Sequence, residues 1–236
     1  MAAIDEPLVL ISGHLCDERV WKRQIEALSP WVGAIHALNP GPRTSMAALA
    51  DDVISRLPPG KFALAGFSLG GLIAFEVMAR MPDRVSRLAL LDTSAQPAAP
   101  FEIEMSLANI ERAGKGEIAA IIGEFVGFLH APTVLADRPE LVAETTAMMM
   151  SHAAECYAPQ QNALRGRPDR RAMLSSISCP TLVLCGELDL ITPPAVHEEM
   201  KNLIPNARLE VIAGASHMTT TEAPDAIIAA MRDWLK

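Results

Sequence analysis

The residues of this chain with the clearest chemical potential lie in the run Gly66-Phe67-Ser68-Leu69-Gly70-Gly71. This G-x-S-x-G joins an apolar stretch, 62–65, to an amphipathic one, 69–81, and reads as a sharp strand-to-helix turn. A serine in such a turn has a strained backbone and a hydroxyl that stands clear of the sheet, free to attack a carbonyl. Gly66 and Gly70 are expected because the outgoing helix crosses the strand too closely for a Cβ, and Gly71 widens the same gap. A phosphate-binding turn is disfavoured, since no Lys-Ser/Thr follows the glycines and the spacing is not G-x-G-x-x-G.

A serine hydroxyl is a poor nucleophile at neutral pH, so it needs a base, and the base needs an acid to orient it. Asp189, in the run 186–193, and His217, in Gly214-Ala215-Ser216-His217, each follow a strand-like apolar run. Ser68, Asp189, His217 is also the chain order that accompanies this kind of elbow. Asp92 ends another strand and competes for the acid's role; Asp189 is preferred, and Glu187 reads as solvated. His36, His130, His152 and His197 fall in strand or helical stretches, where packed or exposed rings are expected. His14 precedes the serine and reads as a wall of the oxyanion site. The backbone N–H groups of His14 and Leu69 are the expected donors to a developing oxyanion.

These residues must be carried on loops at the ends of parallel strands, where such loops converge. The alternation of β-rich runs with helical periodicity predicts an α/β fold, a mostly parallel sheet with helices on both faces. Strands are expected at 7–11, 33–38, 62–65, 85–91, 180–186 and 207–212. Helices are expected at 17–28, 45–57, 69–81, 193–204 and 222–235. Between Pro97 and about residue 170 there are helical stripes, such as Ile118, Ile121, Ile122, Phe125 and Leu129, but no convincing strand. The expected organisation is a core of 1–96 and 171–236 around an inserted helical cap, 97–170, with continuation of the outer helical layer as the alternative.

Half of the 236 residues are apolar, enough for one large core, and the net charge is −8. That charge argues against non-specific binding to nucleic acid or to an anionic membrane. Met1 to Pro7 has neither a basic n-region nor a long apolar core, and no later segment is apolar enough to span a bilayer, so a cytoplasmic protein is expected. Cys16, Cys156, Cys179 and Cys185 lack metal-ligand spacing and read as free thiols.

On the motifs 8–14, 66–71, 186–189 and 214–217, the chain resembles the α/β-hydrolase family over essentially its whole length. Within it, the likeness is to small bacterial carboxylesterase-type members, similar to pimeloyl-carrier-protein methyl esterases and enol-lactone hydrolases. The resemblance implies a Ser-His-Asp triad, no cofactor or metal, a helical lid, and a small-molecule ester or lactone substrate. One departure is Ser12-Gly13, where the family often has His-Gly. Cleavage of a C–C or amide bond on the same triad, and a slow-turnover ligand-binding protein, are the alternative functions. In the cap, Phe125 and Tyr157 are candidates to contact substrate, and Arg165 to clamp a substrate carboxylate. Phe101, Phe128 and Met148 to Met150 either line an acyl site or pack the cap onto the core. The arginines at 165, 167, 170 and 171 form either a carboxylate clamp or a solvated basic face.

Overall fold

The computed structural model describes residues 4–236. Six strands, β1 (Leu8–Ile11), β2 (Ile35–Leu38), β3 (Phe62–Phe67), β4 (Val85–Leu91), β5 (Thr181–Gly186) and β6 (Ala207–Ile212), form one sheet in the order β2-β1-β3-β4-β5-β6. Every pairing is parallel. In register, Ile11 lies opposite Leu38 on one side and Gly66 on the other.

The central strands β1, β3 and β5 read as apolar runs because both faces are covered, whereas the edge strands β2 and β6 are largely half-buried. Leu8, Leu10, Ala63, Ala65, Leu182 and Leu184 point into one core cluster with α1 (Lys22–Leu28) and α10 (Pro224–Trp234). Their strand neighbours Val9, Ile11, Leu64, Leu88, Leu90 and Val183 point into the other, with α2 (Met46–Ile54), α3 (Leu69–Arg80) and α8 (Pro194–Leu203). A period of two along each strand thus separates the two halves of the core.

Four helices, α4 (Pro100–Gly114), α5 (Ile118–Leu129), α6 (Pro132–Asp137) and α7 (Pro139–Arg165), intervene between the neighbouring strands β4 and β5. Ile121, Ile122, Val126 and Leu129 of α5 and Met148 and Met149 of α7 are buried in the first of the two clusters. Phe101, Phe128 and Met150 are exposed, so that set divides between packing and solvent.

Element boundaries differ from expectation where local hydrogen bonding overrides periodicity. The predicted helix 17–28 begins as a 3-10 turn, Glu18–Trp21, because the Asp17 carboxylate caps Arg19 N–H at 3.0 Å. Ser45 is the N-cap of α2, accepting from Ala48 N–H at 3.2 Å, a contact worth about 1 kcal/mol. The helix predicted at 222–235 starts later, at Pro224, as α10, and a short unexpected α9 (Thr219–Glu222) precedes it. No helix among the described residues is long and apolar enough to cross a membrane. The four cysteines are free thiols.

Candidate active site

All strands run the same way, so the loops after β1, β3, β4, β5 and β6 leave from one edge of the sheet. Three of these loops hold a non-glycine residue in the left-handed region: Leu15 (φ 54°), Ser68 (φ 53°) and Asp92 (φ 47°). Such backbone costs on the order of 1–3 kcal/mol per residue and persists only where the surroundings fix it.

At the elbow the fixing is steric. A Cβ on Gly66 would lie 2.4 Å from the carbonyl oxygen of Gly70, in the backbone of α3. The other two glycines face different neighbours than expected: a Cβ on Gly70 would meet the Ile11 carbonyl oxygen of β1 at 2.1 Å, and one on Gly71 the Thr93 side chain at 2.5 Å. The helix is therefore wedged among three strand ends rather than over β3 alone. Thr93 Oγ1 also donates to Ser68 O at 2.8 Å.

From this turn Ser68 Oγ lies 3.0 Å from His217 Nε2, and His217 Nδ1 lies 2.8 Å from Asp189 Oδ2. His217 and Asp189 are buried, while Ser68 keeps partial exposure. The imidazole packs against the Phe67 ring at 5.6 Å between centroids. Asp189 is held by its own loop: Oδ1 accepts from Ile191 and Thr192 N–H at 2.8 and 2.9 Å, and Thr192 Oγ1 donates to Oδ2 at 2.7 Å. Burial pushes this carboxyl up, but the adjacent His217 and the Thr192 bonds outweigh it and leave it below the usual carboxylate range.

Asp92, the competing acid, makes other contacts. It is fully buried, accepts from Gly186 N–H at 3.1 Å, and takes the hydroxyl of Thr219 on its second oxygen. Burial, and then the neighbouring Asp189, raise its carboxyl well above the ordinary value. The two acids are therefore pushed in opposite directions, Asp189 toward the charged form and Asp92 toward the neutral one. His197 is a packed ring, its Nε2 accepting from Thr93 N–H at 3.1 Å. Glu187 is exposed yet not idle, since it accepts from Gly214 N–H at 2.9 Å in the His217 loop.

Leu69 N–H, first in α3, and His14 N–H, in the loop after β1, donate to no acceptor among the described residues. Ser12, where the resemblance leads one to expect histidine, is buried and donates to Asn39 Oδ1 at 3.1 Å; Asn39 in turn donates to Glu18. The loop is therefore tied to the end of β2. The His14 ring stands 6.3 Å from Phe125 and 5.8 Å from Tyr157, between centroids. Arg165, two turns beyond Tyr157 on α7, donates from Nε and one terminal nitrogen to Asn162 Oδ1 at 3.0 and 2.7 Å. Its neighbours are otherwise engaged: Arg167 pairs with Glu102, Arg170 with Glu76, and Arg171 with Asp169 and Glu199.

The contacts of three residues are not anticipated from sequence. Glu222, five residues past the histidine, accepts from Ser216 N–H at 2.6 Å, from Ala131 N–H at 2.9 Å, and lies 2.8 Å from His130 Nδ1. Asp17 lies 2.8 Å from His152 Nε2 on α7. Gln160, on the buried face of α7, contacts the 13–15 turn. A buried amide in a mostly apolar helix face is the one sequence signal for the last, because it must find partners. A cavity of about 240 Å³ lined by Val134, Asp137, Arg138, Gly214 and Glu222 adjoins the His217 loop, but Ser68, Asp189 and His217 are not in its walls. Among the described residues, no group of acidic, histidine or cysteine side chains is arranged to hold a metal ion.

A parallel sheet with a strained serine between β3 and α3 defines a class, and comparison with known proteins agrees: the chain belongs to the alpha/beta hydrolase family, whose profile matches residues 9–230. Among curated relatives, a pimeloyl-[acyl-carrier protein] methyl ester esterase of Neisseria meningitidis serogroup B is 30% identical over 81% of this chain and 75% of its own. The biotin biosynthesis bifunctional protein BioHC of Cellvibrio japonicus is 27% identical over 96% of this chain, which spans about half of that protein, 47%. Among solved structures, a thermophilic esterase from Thermogutta terrifontis with malate bound has a TM-score of 0.88 at 30% identity, covering 99% of this chain and 90% of that one. The enol-lactonase from Burkholderia xenovorans LB400 has a TM-score of 0.86 at 26% identity, covering 98% and 91%.

Proposed function

We propose that this chain is a serine hydrolase that cleaves a carboxylic ester, thioester or lactone through an acyl-enzyme. The observation that carries the reading is the unbroken hydrogen-bonded line from Ser68 Oγ through His217 to Asp189, at 3.0 and 2.8 Å. In this reading Ser68 Oγ bonds to the carbonyl carbon while its proton passes to His217 Nε2, and the C=O electron pair moves onto oxygen. The tetrahedral species collapses, the C–O or C–S bond breaks, and the leaving group takes the proton from His217. A water molecule, deprotonated by the same histidine, then attacks the acyl carbon and frees Ser68. Asp189 fixes the tautomer and favours the imidazolium. His14 and Leu69 N–H groups receive the oxyanion, and Phe125 and Tyr157 flank the acyl group. Residues 97–170 act as the cap of that pocket.

The relatives support the reaction class, since they are described as a methyl ester esterase, an esterase and an enol-lactonase. For an acid group on the substrate we propose Arg165, which donates to a neutral amide while its neighbouring arginines already have carboxylates. The malate described in the Thermogutta esterase supports looking for such a substrate.

The test is a fluorophosphonate probe with p-nitrophenyl ester turnover. One label on the native chain, none on Ser68→Ala, and a fall in turnover of about 10⁶-fold are expected. Labelling of Ser68→Ala, or unchanged turnover, would refute the proposal.

A further inference from the structure

We propose that Gln160, contributed by α7, is a positioning residue for the oxyanion site: it fixes the 13–15 turn, and with it the direction of His14 N–H. The inference rests on the reading of His14 N–H as an oxyanion donor and adds to it a residue 146 positions away in the chain.

The orientation of the Gln160 amide follows from its backbone partners alone. Leu15 N–H can only donate, so the Gln160 atom 3.0 Å from it is the carbonyl oxygen. The carbonyls of Pro40 and Gly41 can only accept, so the atom at 2.8 and 3.3 Å from them is the amide nitrogen. Both ends are thereby assigned without reference to a side chain. The same oxygen lies 2.8 Å from His14 Nδ1, which must carry the hydrogen. Burial pushes His14 down to about 4 despite the Gln160 bond, so the ring is neutral at pH 7. Its Nε2 is then a lone pair, and Gln161 Nε2 donates to it at 3.2 Å.

The turn needs such a hold. Leu15 sits at φ 54°, a conformation disfavoured for leucine, and within the turn the one backbone bond is Cys16 N–H to Gly13 O at 3.1 Å. Gln160 takes the Leu15 N–H, grips the adjoining His14 ring, and braces itself on the 40–41 loop. It is 1% exposed, and a buried amide with each end bonded is an expensive group to place badly. If His14 N–H serves the transition state, its direction depends on a glutamine in the helical insertion.

The experiment measures kcat and KM separately for Gln160→Leu and Gln160→Glu on a p-nitrophenyl ester, together with affinity for a boronic acid that mimics the tetrahedral species. Displacing an oxyanion donor without removing it is expected to lower kcat about 100-fold in Gln160→Leu, with KM within about twofold. Boronate affinity should fall with kcat/KM. Gln160→Glu still accepts from Leu15 and His14 but cannot donate to Pro40 and Gly41, and should recover part of the loss. A Gln160→Leu enzyme with native kcat and only a lower melting temperature would overturn the proposal, as would a loss confined to KM. On the native chain, ¹⁵N NMR of labelled histidine should find His14 neutral with the hydrogen on Nδ1; hydrogen on Nε2 overturns the assignment even if neither variant folds. Activity that survives Ser68→Ala would sink the serine-hydrolase reading, whereas a dead Ser68→Ala beside an undiminished Gln160→Leu would sink this inference alone.

Discussion

Two turns at the same edge of the sheet each hold a non-glycine residue at positive φ, and they are held by different means. The elbow at Ser68 is fixed by exclusion: Gly66 and Gly70 let backbones meet at distances no Cβ permits. The turn at Leu15 is fixed by attachment, through Gln160 and through Asp17, which binds Arg19 and lies 2.8 Å from His152. One restraint is steric, backbone against backbone at Gly66 and Gly70, and tolerates nothing larger. The other reaches across the fold, and its loss should detune the turn rather than abolish it.

Substitutions can break that contrast. Gly70→Val should be the most damaging: the new side chain meets the Ile11 carbonyl, and neither strand nor helix can yield. Loss of soluble protein, or turnover at background, is expected; a folded enzyme with native kcat would show that the elbow is not sterically fixed. Asp189→Asn comes next. It should fold normally and lose about 10⁴-fold in kcat, because an amide cannot favour the required imidazole tautomer. Gly13→Ala sharpens the comparison, since its Cβ would meet the buried Phe67 ring at 2.9 Å, a side chain rather than backbone, which in turn packs against His217. A fall of about tenfold in kcat with an intact fold is expected, far short of Gly70→Val. Arg165→Ala should raise KM about tenfold for an ester bearing a free carboxylate and leave a neutral ester unchanged; equal effects on both would remove Arg165 from the pocket.

Asp92→Asn should have the smallest effect on turnover, within about threefold. Its influence is on stability, and the sign follows from the two acids. Asp92 is raised in the folded state, so its stabilising contribution is present below the unfolded value, about 3.9, and is lost as pH rises toward the folded value. Asp189 is lowered, so its contribution is present above that value and is lost as pH falls through the folded one. Thermal unfolding at pH 8 should therefore find Asp92→Asn at least as stable as the native chain, with the advantage shrinking toward pH 4.5. A large loss of stability at pH 8 would count against a raised Asp92 carboxyl.

The same contrast explains what could be read from sequence. Apolar runs bounded by glycine and proline marked the central strands β1, β3 and β5, since burial on both faces leaves a composition that needs no partner to recognise it. β4 and β6 appear with the residues expected, 85–91 and 207–212. The elbow was legible because glycine spacing encodes a close approach. What Gly70 approaches was not: Ile11 belongs to another strand, and only the assembled sheet brings it near. Gln160, Asp17 and Glu222 were illegible for the same reason, because each has a partner far away in the chain: the 13–15 turn, His152 and Ala131 respectively. Helix ends shifted where a single carboxylate or proline, at Asp17 and Pro224, outweighed the periodicity.

β4 and β5 are hydrogen-bonded neighbours although α4 to α7 leave the sheet between them. Closing such an excursion costs only about 0.6 kcal/mol for each doubling of its length, so chain entropy barely resists exchanging it for a longer or shorter one. The Gln160 clamp makes the exchange less free than that sum suggests. A chimera that keeps this sheet and imports a foreign set of helices must import a replacement for that amide as well, and pocket shape would then be portable between relatives only together with the part that tunes the reaction.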